Sequence, residues 1–182
     1  NPGISLGAAH YQSLAIDNLG YPVVAFQDAA NFYGTTVMRW NGSSWNNVGN
    51  AGFSLAQAHG QSLALDAFGN PVVAYCDASS GNKTKVMRWN GSNWSTVGNA
   101  GFSAGDAVCH SLALDNLGNP VVAYKDVANG GKTTVIHWNG SNWNVVGNAG
   151  ISAGEANYPC LVLDSVNNPI VAYSDVINGS KT

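Results

Sequence analysis

The 182 residues carry seven Lys and Arg against ten Asp and Glu, a formal charge of -3, and the scattered cations form no basic stripe for a phosphate backbone, which argues against nucleic acid as a partner. Hydrophobic residues make up 45% and charged residues only 9%, enough apolar surface for a core but too few ion pairs for charged helical faces, so the chain reads as folded and built from strands. No apolar run approaches the roughly 18 residues that span a bilayer, and Asn1-Pro2-Gly3 matches neither a signal peptide nor an initiator methionine, so a processed chain or part of a longer one is expected.

The first element in chain order is Ser13-Leu14-Ala15-Ile16-Asp17, short and apolar with small residues interleaved, as an inner strand requires. We label it strand A. Asn18 to Tyr21 supply a turn in which the Asp17 carboxylate can accept backbone amides and Gly20 can take positive φ. Strand B, Pro22-Val23-Val24-Ala25-Phe26, is rich in β-branched residues, with proline only at its first position. Strand C runs through Val37-Met38-Arg39-Trp40 into Asn41-Gly42, a strong hairpin signal, and strand D begins at Trp45.

The same elements return 49 residues later, and again after that. Strand A recurs at Ser62, Ser111 and Cys160, strand B at Pro71, Pro120 and Pro169, and strand C at Val86 and Val135. A fixed period of this length is the mark of a solenoid or propeller. The chain is therefore expected to be all-β: a β-propeller of four-stranded antiparallel blades, a single partial domain over 1–182. Its units are 1–49, 50–98, 99–147 and an incomplete 148–182 that holds only strands A and B of a fourth blade. Ring closure is expected to come from further sequence or from another copy of the chain, because an open strand edge is normally covered.

The stretch Ser111-Leu-Ala-Leu-Asp-Asn-Leu-Gly-Asn-Pro-Val-Val-Ala-Tyr124 resembles strands A and B of NHL-type propellers. The run from PVVAYxD through VMRWNGSxWxxVG resembles bacterial and fungal propeller lectins, where a strand ending in Asp precedes an aromatic hairpin and a following Trp. The resemblance covers the whole chain. It implies the fold, and from the lectins a carbohydrate ligand; these motifs are shared among propellers, so the ligand is the weaker implication.

The repeat absorbs much of the chemistry that the composition offers. Eight of the ten acidic residues fall in two columns, Asp17, Asp66, Asp115, Asp164 and Asp28, Asp77, Asp126, Asp175, where turn capping explains a carboxylate in every unit and a catalytic pair does not. A sialidase-like site would need an arginine cluster, yet Arg39 and Arg88 are the only arginines and share one column, with His137 in their place in the third unit. The chain is accordingly expected not to be an enzyme. His10 and His59 align, but no acidic or cysteine ligand joins them in the repeat, so no metal or other cofactor is expected. Trp40, Trp89, Trp138 and Trp45, Trp94, Trp143 flank the hairpin turn, which suits cross-strand packing, with sugar stacking as the alternative.

Cys76, Cys109 and Cys160 form no CxxC pair, and their odd number leaves at least one without an internal partner. Cys109 and Cys160 lie two repeat positions apart in successive units, so an inter-blade bridge and two buried thiols both stay open. Of the sequons at Asn41, Asn82, Asn90, Asn93, Asn139 and Asn178, four are Asn-Gly-Ser of the hairpin turn or its counterpart, and the turn alone explains them.

Columns that differ between units are free to serve something other than the blade. Ala8, Gln57, Asp106 and Glu155 differ; so do Tyr11, Gly60, Cys109 and Tyr158, and Gln27, Cys76, Lys125 and Ser174. Strand alternation places the D to A crossover and the B to C loop at one end of every blade, so these columns gather on one face. The candidate ligand-binding residues are His10, Tyr11, Gln27, Tyr33, His59, Gln61, Asp106, His110, Lys125, Glu155 and Tyr158. Aromatic rings beside uncharged polar groups suit hydroxyl-rich ligands, and repetition suits multivalency. The expected function is a multivalent, lectin-like binding module, extracellular or at the cell surface, with glycans or a cell-surface partner. The alternatives are a structural or adhesive repeat protein and a protein-binding platform.

Overall fold

A computed structural model describes residues 3–182. Strands β1 (Ala9–Ile16), β2 (Pro22–Asp28), β3 (Gly34–Trp40) and β4 (Trp45–Asn47) form one antiparallel four-stranded sheet in chain order. The pattern repeats in β5 (Ala58–Leu65), β6 (Pro71–Asp77), β7 (Lys83–Trp89) and β8 (Trp94–Thr96), and in β9 (Ala107–Leu114), β10 (Pro120–Asp126), β11 (Lys132–Trp138) and β12 (Trp143–Val145). Strands β13 (Ala156–Leu163) and β14 (Pro169–Asp175) make a two-stranded fourth sheet. This is the blade architecture expected from the period. Among the described residues no helix is long and apolar enough to cross a membrane.

Local chemistry sets each turn. The Asp17 carboxylate accepts the amides of Leu19 at 3.0 Å and Tyr21 at 2.9 Å, and Asp66, Asp115 and Asp164 repeat the arrangement. Between strands B and C, Asp28 bonds the Ala30 amide at 3.0 Å, the Asn31 side chain at 2.8 Å and the Thr36 hydroxyl at 2.8 Å, closing a short 3-10 turn. In the C to D hairpin the Asn41 side chain accepts the amides of Ser43 and Ser44, and Gly42 takes φ +97°. Both acidic columns are thus engaged in turns.

Neighbouring blades meet through four sets of contacts. Leu63 of the second blade packs against Val23, Ala25 and Val37 of the first, and the Val72, Ala74, Val86 and Leu112 set repeats that seam. Beside this core the Ser13 hydroxyl accepts the Leu63 amide at 2.9 Å, Ser62 that of Leu112 at 3.0 Å, and Ser111 that of Leu161 at 2.9 Å. At one end Arg39 donates to the Gly69 carbonyl and Arg88 to that of Gly118, each in the next blade. At the outer edge Trp94 stacks on Phe53, centroids 4.0 Å apart, and donates to the Val48 carbonyl at 2.8 Å; Trp143 does the same with Phe102 and Val97. The second tryptophan column is therefore a blade clasp. Gly49 and Gly98 must stay small there, since a Cβ on Gly98 would stand 2.4 Å from the Trp138 ring.

Candidate functional site

Strand A is longer than its sequence pattern predicts, because the alternation is broken near its start. In β1 and β2 the register runs His10 to Gln27 and then Ser13 to Ala25, so Tyr11 and Gln12 stand opposite the single residue Phe26. The same two-against-one bulge occurs at Gly60-Gln61, Cys109-His110 and Tyr158-Pro159. The first bulge residue is left-handed in every blade, with φ of 53° at Tyr11, 62° at Gly60, 55° at Cys109 and 51° at Tyr158. A bulge of this kind favours glycine at that position. Only the second blade supplies it. The other three hold a tyrosine or cysteine in a conformation that costs L residues about 1 kcal/mol or more.

These four bulges border one cavity of about 620 Å³, to which all four blades contribute. Tyr11, His59, Cys109, His110 and Tyr158 provide its aromatic and polar walls, with Gly60, Cys76, Val108 and Pro159 between them. No wall residue is Asp, Glu, Lys or Arg. Tyr11 meets His59 edge-on at 6.3 Å between centroids. The Gln27 amide nitrogen donates to the Ala58 carbonyl at 2.7 Å, which fixes its orientation, and its second contact is His59 Nδ1 at 3.2 Å. His59 Nδ1 therefore accepts, and its ring proton sits on Nε2. Burial pulls the His110 pKa down to about 4, only partly offset by the Gly60 backbone. Burial pushes the Cys76 thiol up to about 11, with the Asp106 and Asp77 charges adding to it. Near neutral pH His110 is uncharged and Cys76 protonated, an environment suited to a ligand without formal charge.

Of the residues expected from sequence, Tyr11, His59, His110 and Tyr158 meet in this cavity. His10 is exposed beside Tyr11, their rings 6.5 Å apart. Gln27 lies buried behind His59, and Gln61 is buried in the seam, bonded to Thr35 at 3.2 Å. Lys125 is committed to Glu155 and, at 2.8 Å, to Asn157, a bridge between the third and fourth blades. Asp106 is exposed outside the walls. Tyr33 sits in the B to C loop of the first blade, also away from the cavity. Gly60, Cys76, Val108, Cys109 and Pro159 were not expected. The columns of disagreement signal Gly60, Cys76 and Cys109; none of the five is a polar or aromatic side chain of the kind that suggests ligand contact.

All three cysteines are free: Cys76 is buried, Cys109 half-buried and Cys160 exposed where the earlier blades have the seam serine. Among the described residues no three His, Cys, Asp or Glu side chains form a metal-holding group. At the opposite end of the blades His137 bonds Asp115 at 2.9 Å. The Asp115 pKa is lowered: burial works upward but is outweighed by the bonds from Asn119 and His137. Another groove, of about 470 Å³, lies at the outer edge, where Trp138 and Trp143 face Asn99, Ser141 and Asn142.

No family model and no curated protein matches the chain. Solved structures do. It is similar to the Aleuria aurantia lectin in complex with Fucα1-6GlcNAc, at 18% identity and TM-score 0.61, over 89% of this chain and 53% of that one. It is similar also to the Penicillium chrysogenum α-L-arabinanase complexed with arabinobiose, at 14% identity and TM-score 0.58, over 91% and 57%. A third is an endo-1,4-β-xylanase from Bacteroides thetaiotaomicron, at 9% identity and TM-score 0.57, over 93% and 66%. The chain thus spans little more than half the length of the first two. Such identities establish the fold: an all-β assembly of propeller blades. They also correct one expectation. The chain was expected not to be an enzyme, and that does not stand, because its fold is shared with glycan-cleaving enzymes as well as with a lectin. The scarcity of arginine speaks only against a sialidase-like site and leaves other hydrolase chemistries untouched.

Proposed function

We propose that this chain recognises neutral glycans in the cavity bordered by its four bulges, outside the cell or at its surface. The observation that carries the reading is the bulge column itself. Gly60 shows what the backbone favours there, while Tyr11, Cys109 and Tyr158 keep side chains in the same left-handed conformation and converge on one uncharged cavity. Strain held at a site shared by several blades is a reason to look for ligand contact. Exposed tyrosine rings offer apolar faces to pyranose C–H groups, and His59 and His110 offer hydrogen-bonding ring nitrogens to hydroxyls. Sugar recognition is what the lectin and the two glycosidases of this fold have in common.

A glycan array probed with the full chain tests the reading. Binding to a restricted set of glycans, weakened by Tyr11→Ala or Tyr158→Ala, is the expected result. Failure to bind any glycan, together with no competition by millimolar monosaccharide, would overturn it.

A second reading, an adhesive or self-assembling repeat, is favoured by a separate observation. Leu14 is 64% exposed, whereas Leu63, Leu112 and Leu161 in the same column are 7%, 8% and 5% exposed. Ile170 is 57% exposed, whereas Val23, Val72 and Val121 are at most 3% exposed. The two faces left uncovered are the two halves of the seam that joins every pair of blades within the chain.

A further inference from the structure

The second residue of each bulge is Gln12, Gln61, His110 and Pro159 in turn. In the second and third blades this side chain reaches back to a buried threonine of the preceding blade. Gln61 Nε2 donates to Thr35 Oγ1 at 3.2 Å, and His110 Nε2 meets Thr84 Oγ1 at 3.1 Å. Pro159 has no such group, and Thr133 Oγ1, the third threonine of the column, is left buried without a partner.

A side chain that spends one end in the seam has its other end left over. Gln61 Oε1 and His110 Nδ1 are both buried and make no hydrogen bond of normal geometry, although the Gly60 backbone lies near enough to His110 to favour its protonated form. Burying such an atom unpaired is unfavourable, and in native structures it commonly marks the place of a water or ligand. The two cases differ in access. His110, only 9% exposed, belongs to the cavity wall, and Gln61 does not. Above His110 the bulge of the preceding blade is the glycine. A Cβ built on Gly60 would stand 3.5 Å from both His110 Nδ1 and the Cys109 amide nitrogen, ordinary van der Waals contact, so this column of the second blade leaves room for a small group beside that nitrogen.

Resting on the glycan reading, we propose that Gly60 and His110 form a hydroxyl-binding subsite of the cavity, in which a sugar hydroxyl enters the space left by Gly60 and hydrogen-bonds His110 Nδ1. A hydroxyl suits the position because it can donate to a bare Nδ1 or accept from a protonated one, whichever tautomer the Thr84 contact selects. A carboxylate would call for an imidazolium that this dry position disfavours. The asymmetry of the column then has a purpose: at this position three blades present a side chain to the cavity, and the second leaves an opening.

The test is titration of the full chain, labelled with ¹⁵N-histidine, with Fucα1-6GlcNAc, with arabinobiose and with the best ligand from the array. The expected result is a ligand-dependent shift of the His110 Nδ1 resonance. Gly60→Ala and His110→Phe should each weaken binding roughly tenfold, while His110→Gln, which keeps both the seam bond and an acceptor, should stay within about threefold. The wild-type spectrum keeps the inference falsifiable if a variant does not fold. Binding that leaves the His110 resonance unmoved overturns the subsite and spares the glycan reading. Absence of binding by the wild-type chain to all of these sugars overturns both.

Discussion

At Tyr11, Cys109 and Tyr158 the backbone stores strain that a glycine would remove, and the exposed tyrosine rings gain little burial in return. Phe32, Tyr33 and Asn82 also have positive φ, in the B to C turns, but none of them lines the shared cavity. His110 adds a second residue-scale feature with a measurable signature. Its folded pKa is about 4 against 6.5 for the free side chain. Below pH 6.5 the unfolded chain takes up a proton that the folded chain refuses, so stability present above that pH is lost as pH falls toward 4. The loss amounts to roughly 3 kcal/mol at most. Urea denaturation between pH 7 and pH 4.5 should show this decline, and His110→Gln should flatten it. An unchanged slope would mean that His110 is not held neutral by burial. The column of disagreement is legible in the sequence, because drift from a repeat shows in the order of residues alone. That order does not show that the column is left-handed or that His110 Nδ1 lacks a partner, since both depend on cross-strand register.

The strands and turns follow rules that act over a few residues, which is why they are legible in the sequence. Asp17, Asp28 and Asn41 cap the turns of the first unit as their spacing implies. The first four residues of each strand A are not legible, because the bulge breaks the two-residue alternation that would reveal them. The seams are not legible either, as Ser13, Ser62 and Ser111 read as small strand residues until the next blade is in place. Their role predicts a cost. Ser62→Ala leaves the Leu112 amide without its 3.0 Å acceptor and should destabilise the chain by about 1–3 kcal/mol. Gly98→Ala combines a φ of +66° with a Cβ 2.4 Å from the Trp138 ring and should cost about 2 kcal/mol or more. Thermal denaturation of both variants checks the seam; unchanged midpoints would contradict it.

For the molecule as a whole, the repeat supplies copies of one interface and leaves one half of it exposed at each end. Further blades, from additional sequence or from another copy of the chain, are expected to cover Leu14 and Ile170, and copies that do so by heterologous contact close into rings or continue into filaments. Light scattering should show particles heavier than the 18.9 kDa chain, reduced to single chains by Leu14→Asp or Ile170→Asp; a compact monomer of the unmodified chain would contradict it. The same stacking of blades brings residues about 49 and 98 positions apart to a single cavity, which no local motif announces. On the proposed reading this cavity keeps strained side chains for the sake of a ligand. Replacing Tyr11 and Tyr158 together by glycine, and measuring both the melting temperature and the affinity for the best array glycan, tests it most directly. The double variant should melt at or above the wild-type temperature and bind at least about tenfold more weakly. Undiminished binding, or a marked loss of stability, would contradict it.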